Sequence, residues 1–396
     1  MRLIESMFWG KVFLRFFVIA FFGIVAIVLI MSSFSKPVPL ASVFKADNMC
    51  GQLPELQFNG LEINYSNADI KLNVQEQLYQ DIPPIAYVYK VNLIGETFTT
   101  KEKAFRIAEI FDFEPNTYKK PEATVYEWSD YKRFLRFNTN TSNFYYTLKD
   151  VAMPPIPNPD IPPVVEAKQL ALNVLNKFES SSESQIYTFM VDFLSENEDI
   201  EVDSLETARA VRVDIQKHIN VLKYPTVLLD EQYRKKHSNV KIDFLQYFSL
   251  ADSENLTNYN THTVAEAPFL GGTQIYIISR YNDDIKNVGR VRYSNWKLED
   301  TPCGTYSIIS AKEAFVSVQR HEAKIVYAYK WGQDRLNVVK TGTLKSLNIF
   351  NIYLAYYQPK KQLSYLQPIY VVEADGYLDS GERVSVFFYV PAVKKL

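Results

Sequence analysis

The sequence predicts an α+β protein in which an N-terminal transmembrane helix is followed by repeated units of one helix and an antiparallel sheet. Three observations favour this class. One long apolar run lies near the N-terminus, helix-capping patterns recur along the chain, and short runs of alternating apolar and polar residues follow each capped helix. Tyrosine (27) and phenylalanine (26) are abundant and glycine (13) is scarce, a composition typical of half-buried strands.

The apolar run predicts a membrane anchor. Residues 16–31 contain no charged or hydrogen-bonding side chain, and extending the run to residue 34 gives a helix about 28 Å long, close to the thickness of a bilayer core. Three basic residues against Glu5 in the first fifteen positions predict a cytoplasmic tail, 1–15, before the anchor, 16–34. We therefore expect a single-pass protein of the cell membrane, in contact with the lipid bilayer and with its bulk extracytoplasmic. A cleaved signal peptide is the alternative.

The charge balance excludes one class of partner. Lysine and arginine (43) nearly balance aspartate and glutamate (45), so we expect no nucleic-acid partner.

The two cysteines are far apart in the sequence. Cys50 lies in a predicted stalk, 35–54, and Cys303 lies far along the chain. The two thiols either form a disulfide across a very long loop or stay independent. Two cysteines and four scattered histidines do not have zinc-site spacing, and the sequence predicts no metal and no cofactor.

A first α+β domain is predicted at 55–152. After a strand at 85–91, Thr99 and Glu102 have the spacing of a capping box and open an amphipathic helix. Three strand-like runs follow and predict a meander: Ala123 to Trp128, Arg133 to Asn138 and Asn143 to Leu148. A proline-rich segment at 153–163 has six prolines in eleven residues and predicts a stiff linker.

A second α+β unit is predicted at 164–300. It opens with a helix at 164–178 and continues with a strand in which Val211, Val213 and Ile215 alternate with Arg212, Asp214 and Gln216. The runs "TQIYIISR" and "GRVRYSNW" predict a hairpin. Between these elements, the polar stretch at about 222–272 is interpreted as an irregular insertion, and its "FLGGTQ" as a turn into a strand.

A third α+β unit is predicted at 301–396. Ser310 and Glu313 again have capping-box spacing, and strands follow the helix. The unit ends in a β-hairpin in which alternate residues of 383–390 face opposite sides. Pro368 and Pro391 cannot donate to a strand ladder, so these strands are expected at a sheet edge or with a bulge.

The capped helices "TTKEKAFRIAEIF" and "SAKEAFVSV" resemble those of PepSY-type, cystatin-like domains. Together with the single anchor they are similar to the Yyc-type accessory proteins that sit beside a cell-wall-sensing histidine kinase in Gram-positive bacteria. The tail, "YLQPIYVVEADG" followed by "VSVFFYVPAV", is more similar to uncharacterised single-span membrane proteins of candidate-phylum bacteria. The resemblance implies a non-enzymatic regulatory or binding role and supplies no catalytic residue.

No nucleophile-elbow, zinc-protease, P-loop or dinucleotide-binding motif occurs in the sequence, and we assign no catalytic residue. The acidic run at 196–206 predicts an exposed acidic loop, with a calcium site as the alternative, because the run lacks the spacing and glycine of an EF-hand loop. We therefore expect a membrane-anchored extracytoplasmic binding or regulatory protein with a membrane or envelope protein partner. The alternatives are a structural scaffold, or an envelope hydrolase or transferase using the carboxylates of Asp283, Asp284, Glu373 or Asp375.

Overall fold

The structure is a computed structural model. It describes ten stretches of the chain: 46–73, 85–92, 97–155, 158–179, 184–193, 199–225, 256–294, 296–299, 301–333 and 335–395.

Among the described residues the chain forms eighteen strands, joined in one network of pairings, and three α-helices. The helices are α1 (Phe98–Ile110), α2 (Val164–Phe178) and α3 (Ala311–Gln319). In chain order the strands are β1 (Glu62–Asn64), β2 (Asp69–Leu72), β3 (Ile85–Lys90), β4 (Lys119–Glu122), β5 (Val125–Ser129), β6 (Arg133–Asn138), β7 (Phe144–Leu148), β8 (Ser184–Phe193), β9 (Asp199–Glu201), β10 (Ala210–Pro225), β11 (Leu256–Val264), β12 (Thr273–Ile277), β13 (Val288–Tyr293), β14 (Gly304–Ser307), β15 (Lys324–Lys330), β16 (Thr341–Tyr357), β17 (Tyr365–Leu378) and β18 (Arg383–Pro391).

The first group of strands, called sheet I, is antiparallel throughout. Its pairings give the order β4-β5-β6-β7-β13-β12-β10-β8-β9. Sheet I therefore joins strands from both sides of the predicted linker. The meander β5-β6-β7 and the hairpin β12-β13 are confirmed as local predictions.

The second group, called sheet II, is built around the antiparallel order β15-β18-β17-β16. Strand β16 also pairs in parallel with β1, β2 and β11 at successive positions along its length. Strands β17 and β18 each pair on both sides, so the edge position expected for Pro368 and Pro391 is wrong. The expected alternative, a bulge, occurs in the β16–β17 pair at Ile349/Asn351 and not at the prolines. The chain reverses between β17 and β18 through Gly381, whose φ of 87° suits glycine.

Four layers follow from three apolar clusters. Helices α1 and α2 pack on one face of sheet I, and α3 packs on one face of sheet II. The other faces of the two sheets meet in a third cluster, which includes Phe189 and Tyr276 of sheet I with Val371 and Tyr389 of sheet II. The layer order is thus helices, sheet I, sheet II, helix.

The predicted fold class, an α+β chain of repeated helix-plus-sheet units behind a transmembrane helix, is contradicted by this architecture. The physical reason is visible in β18, where Val386 and Val390 face α3 while Phe387 and Tyr389 face sheet I. A strand with large apolar side chains on both faces needs a cover on both faces. A single helix covers one face, so the sheets stack on one another instead of forming separate units.

The helix-capping predictions differ in outcome. Helix α2 has the predicted bounds, and the capping box of Ser310 and Glu313 at α3 is confirmed. The predicted N-cap Thr99 of α1 is wrong, because the helix begins two residues earlier. Thr97 is the N-cap, and the Thr100 hydroxyl accepts from the Thr97 N–H at 2.8 Å, as a glutamate would in the usual box.

The predicted single-pass membrane localisation is contradicted by the structure. Within the described stretches, none of the helices combines the length and the apolar character that crossing a membrane requires. The predicted anchor, 16–34, and the tail, 1–15, lie outside the described residues.

Cys50 and Cys303 form a disulfide that closes a loop with a sequence separation of 253 residues. Its neighbourhood is also held by the Asp47 carboxylate, which accepts from the Thr305 N–H at 2.8 Å, and by the Asn48 N–H, which donates to the Thr305 carbonyl at 3.0 Å. The segment before β1 is thereby fastened to β14.

Replacing both cysteines by alanine is expected to lower the free energy of unfolding by about 2–5 kcal/mol, because the unfolded chain gains the freedom that the long loop closure removes. Urea denaturation of the variant and the parent measures the loss. As a control, a reducing agent should weaken the parent equally and leave the variant unchanged. Equal stability of the oxidised parent and the variant would show that the bond contributes nothing.

Candidate functional site

A cavity of about 430 Å³ lies between the two sheets and is the candidate site. Sheet I contributes Arg212, Gln274 and Arg292 to its wall, sheet II contributes Tyr327, and the loop before β12 contributes Glu266 and the Gly271–Gly272 backbone. Ligand sites of proteins commonly have volumes of about 300–1,000 Å³. We call it the inter-sheet cavity.

Strand β10 supplies Arg212 to the wall and, directly beside it, the carboxylate that holds Arg212 in place. Its alternation directs Val211, Val213 and Ile215 toward the helices, as predicted for one face. Arg212, Asp214 and Gln216 occupy the opposite face, which sheet II covers. They are buried, with Arg212 only 3% and Asp214 0% exposed.

Asp214 is the centre of a hydrogen-bond network. Its Oδ2 atom accepts from Arg212 Nε at 2.6 Å. Its Oδ1 atom accepts from the Gly271 N–H at 3.0 Å and from Gln274 Nε2 at 2.7 Å. A buried carboxylate is stable only with such partners, so Asp214 fixes an arginine, an amide and a loop in one arrangement.

The network continues to Arg292 on the neighbouring strand. Arg292 Nη1 donates to Gln274 Oε1 at 3.1 Å and to the Tyr276 hydroxyl at 2.7 Å. Its guanidinium lies 5.5 Å from the Tyr276 ring centroid, within range of a cation–π contact. The position of Arg292 in the wall is therefore set by Tyr276 and by Gln274, and Gln274 is itself oriented by Asp214.

Two glycines let the loop approach neighbouring backbone closely, Gly271 at β10 and Gly272 at the end of β13. A Cβ atom on Gly271 would lie 2.4 Å from the backbone N and O of Ile215, and one on Gly272 would lie 3.0 Å from the Ser294 carbonyl. The first distance is far inside van der Waals contact, so only glycine fits at 271. The sequence "FLGGTQ" was predicted to be a turn into a strand, and the structure adds that its glycines line the cavity.

Glu266 places a carboxylate in the cavity wall. Its Oε1 atom accepts from the Lys360 N–H at 3.0 Å. Its Oε2 atom is buried and has no hydrogen-bond partner. Glu266 is the only carboxylate among the described residues that line the cavity.

A second polar cluster includes His218 and His262, whose Nε2 atoms are both buried without a hydrogen-bond partner. The His262 ring lies 5.6 Å from the Tyr353 ring, and Glu373 lies beside Tyr353. Burial, reinforced by the nearby His218, lowers the pKa of His262 to about 4. The folded protein therefore holds His262 neutral.

The four carboxylates proposed for hydrolysis fall in two separate places. Asp283 caps a short 3-10 turn by accepting from the Ile285 N–H at 3.1 Å, and Asp284 lies 3.8 Å from Lys177. Glu373 and Asp375 lie on β17 in sheet II.

The two β17 carboxylates have structural partners. Asp375 is paired with Arg383 at 2.7 Å. Glu373 accepts from Asn351 at 3.2 Å, and its burial raises the pKa of the Glu373 carboxyl. None of the four lines the inter-sheet cavity.

The acidic run has a partly structural role. Glu196 and Glu198 lie outside the described residues, while Glu201 accepts from Arg335 Nη2 at 2.7 Å and from the Arg335 N–H at 2.8 Å. Across the described stretches no three histidine, cysteine, aspartate or glutamate side chains are grouped so that they could hold a metal ion. Calcium binding by the run stays the alternative prediction.

Comparison with known proteins adds little. No family model matches the chain, and no curated protein matches it. One similar solved structure is the crystal structure of an uncharacterized protein from Eubacterium rectale ATCC 33656, with 9% sequence identity, a TM-score of 0.33 and coverage of 91% of this chain and 98% of that chain. A TM-score this low supports no inference about fold or function. The resemblance to PepSY-type and Yyc-type proteins stays a prediction.

Replacing Asp214 by alanine is expected to cost about 3–5 kcal/mol of unfolding free energy, because the charge of Arg212 would remain buried without its carboxylate. Urea denaturation measures the change. Replacing Glu127, whose partner Arg136 is 54% exposed, by alanine is the matched control and should cost at most about 1 kcal/mol. Equal losses in the two variants would contradict a central role for Asp214.

The stability of the protein relative to a His262→Phe variant is expected to fall by about 2–3 kcal/mol between pH 7 and pH 4. The folded pKa of His262 is about 4, below the ordinary value of 6.5, so the unfolded chain binds the extra proton. This stabilisation is complete above pH 6.5 and is lost as the pH falls toward 4.

Denaturant unfolding at several pH values measures the difference, and phenylalanine keeps a ring beside Tyr353. The control is His321→Asn, at an exposed position with a φ of 60° that asparagine tolerates. A parent and a His262→Phe variant with parallel pH profiles would refute the effect.

Proposed function

We propose that this chain is a non-enzymatic binding protein whose ligand occupies the inter-sheet cavity, and that ligand binding there regulates a partner protein. The observation that carries the proposal is the wall built around Asp214. Buried hydrogen bonds hold Arg212, Gln274 and the Gly271 backbone in place before any ligand arrives. Such pre-organisation lowers the cost of ordering a binding site.

The lining supports binding more than catalysis. It combines charged and amide groups, Arg292, Lys360, Glu266 and Gln358, with the apolar side chains of Leu270, Tyr327, Leu336 and Val338. A few polar groups among apolar walls are typical of ligand sites. Hydrolysis by paired carboxylates needs two acidic groups several ångströms apart, whereas Glu266 is the single acidic side chain among the described lining residues.

A thermal-shift panel tests the proposal. Amino acids, short peptides, dicarboxylates, hexoses, N-acetylhexosamines and nucleotides are added separately at millimolar concentration, and a ligand that binds the folded state raises Tm. We expect at least one compound class to raise Tm of the parent. The same compounds should leave Tm of a Val338→Trp variant unchanged, because the larger ring fills the cavity.

The matched control is Val151→Trp, the same substitution at a position that is 59% exposed. This variant should respond to the compounds as the parent does. The proposal fails if no compound class raises Tm of the parent, or if the parent and Val338→Trp respond equally.

A further inference from the structure

We infer that the ligand of the inter-sheet cavity is zwitterionic and carries an ammonium group that Glu266 binds, a carboxylate that lies toward Arg292 and Lys360, and an apolar side chain. The chemical class is an apolar α-amino acid or a short peptide. This inference rests on the proposed function and names the ligand of that same site.

Glu266 is the first argument. One carboxylate oxygen, Oε1, accepts from the Lys360 backbone, and the other, Oε2, is buried with no partner. A buried acceptor without a hydrogen-bond partner costs free energy, and this cost is larger for a charged group than for a neutral one. The terminal torsion of a glutamate is broad, so a turn of the whole carboxylate brings an oxygen toward a donor in the cavity, and the hydrogen bond to the Lys360 N–H is the contact that adjusts.

An ammonium group satisfies Glu266 better than a neutral amide does. A hydrogen bond between two ionised partners is shorter and roughly twice as strong as one between neutral groups. An ammonium also carries three N–H donors in a compact head, which suits a site with one free carboxylate oxygen.

Charge balance in the wall is the second argument. The buried pair of Arg212 and Asp214 is neutral as a unit, at 2.6 Å. The remaining charged lining residues are Glu266, Arg292 and Lys360, one acidic and two basic. A ligand with an ammonium alone would meet two like charges, whereas a zwitterion matches both signs.

The apolar lining is the third argument. Leu270, Tyr327, Leu336 and Val338 offer hydrocarbon surface to a side chain, and burying such a side chain contributes about 1.5–3 kcal/mol for leucine. A polar sugar would leave this part of the wall without a matching group.

Isothermal titration calorimetry with the leucine series tests the inference, since its members share one side chain and differ in their ends. Leucine and leucyl-leucine carry both an ammonium and a carboxylate. Leucinamide carries only the ammonium, and N-acetyl-leucine carries only the carboxylate. N-acetyl-leucinamide carries neither charged group. We expect leucine or leucyl-leucine to bind most tightly. N-acetylation should weaken binding by at least about tenfold.

Glu266→Gln removes the charge and keeps the shape of the side chain. It should reduce the affinity for leucine and leucyl-leucine to that of their N-acetylated counterparts. Glu127→Gln, which removes a carboxylate from the surface pair with Arg136, is the matched control and should bind as the parent does.

Three outcomes overturn the inference. These are equal affinities for N-acetyl-leucine and leucine, binding of leucine by Glu266→Gln at the affinity of the parent, and no binding by any member of the series. In each case the proposed function is decided separately, by whether another compound class in the thermal-shift panel raises Tm of the parent and is blocked by Val338→Trp.

Discussion

The buried carboxylate of Asp214 is the interaction on which the inter-sheet layer depends. It lies on a strand that is covered on both faces, by helices on one side and by sheet II on the other. Three donors from Arg212, Gly271 and Gln274 satisfy it. Each donor also belongs to the cavity wall, so the same bonds that make the carboxylate tolerable in the interior also shape the site.

Close approach of the loop before β12 is the second constraint. The Gly271 backbone packs directly on Ile215, and this contact brings its N–H within 3.0 Å of Asp214. Glu266 and Leu270 belong to the same loop. They line the cavity because Gly271, without a Cβ atom, lets the loop pack this close to β10. On the opposite side of the layer, Tyr389 donates to the Ala265 carbonyl at 2.9 Å and connects this loop to sheet II.

Sequence patterns predict an element correctly where that element decides its own conformation. Helix α2, the capping box of Ser310 and the hairpin β12-β13 follow from periodicity and turn chemistry. The predicted start of α1 is wrong because Thr97 and Thr100 form its capping box. The sequence instead favours Thr99 and Glu102, which have the more usual Thr-x-x-Glu pattern. The sequence does not predict the cavity, although the glycines of "FLGGTQ" and Arg292 of "GRVRYSNW" both line it. A polar face that alternates with an apolar one ordinarily faces water, and nothing in the strand itself reports that a second sheet covers it.

By itself the sequence determined the described helices, most strands outside 222–272, the two faces of alternating strands such as β10 and β18, and the presence of two cysteines able to pair. These depend on periods of 2 and 3.6 residues, on caps and on composition, all of which are local. The tertiary structure alone decided that strands from distant segments join in two stacked sheets, that Cys50 is bonded to Cys303, and that Arg212, Asp214 and Gln274 are buried together around a cavity. Such pairings depend on which large surfaces can cover one another, and that is a property of the whole chain.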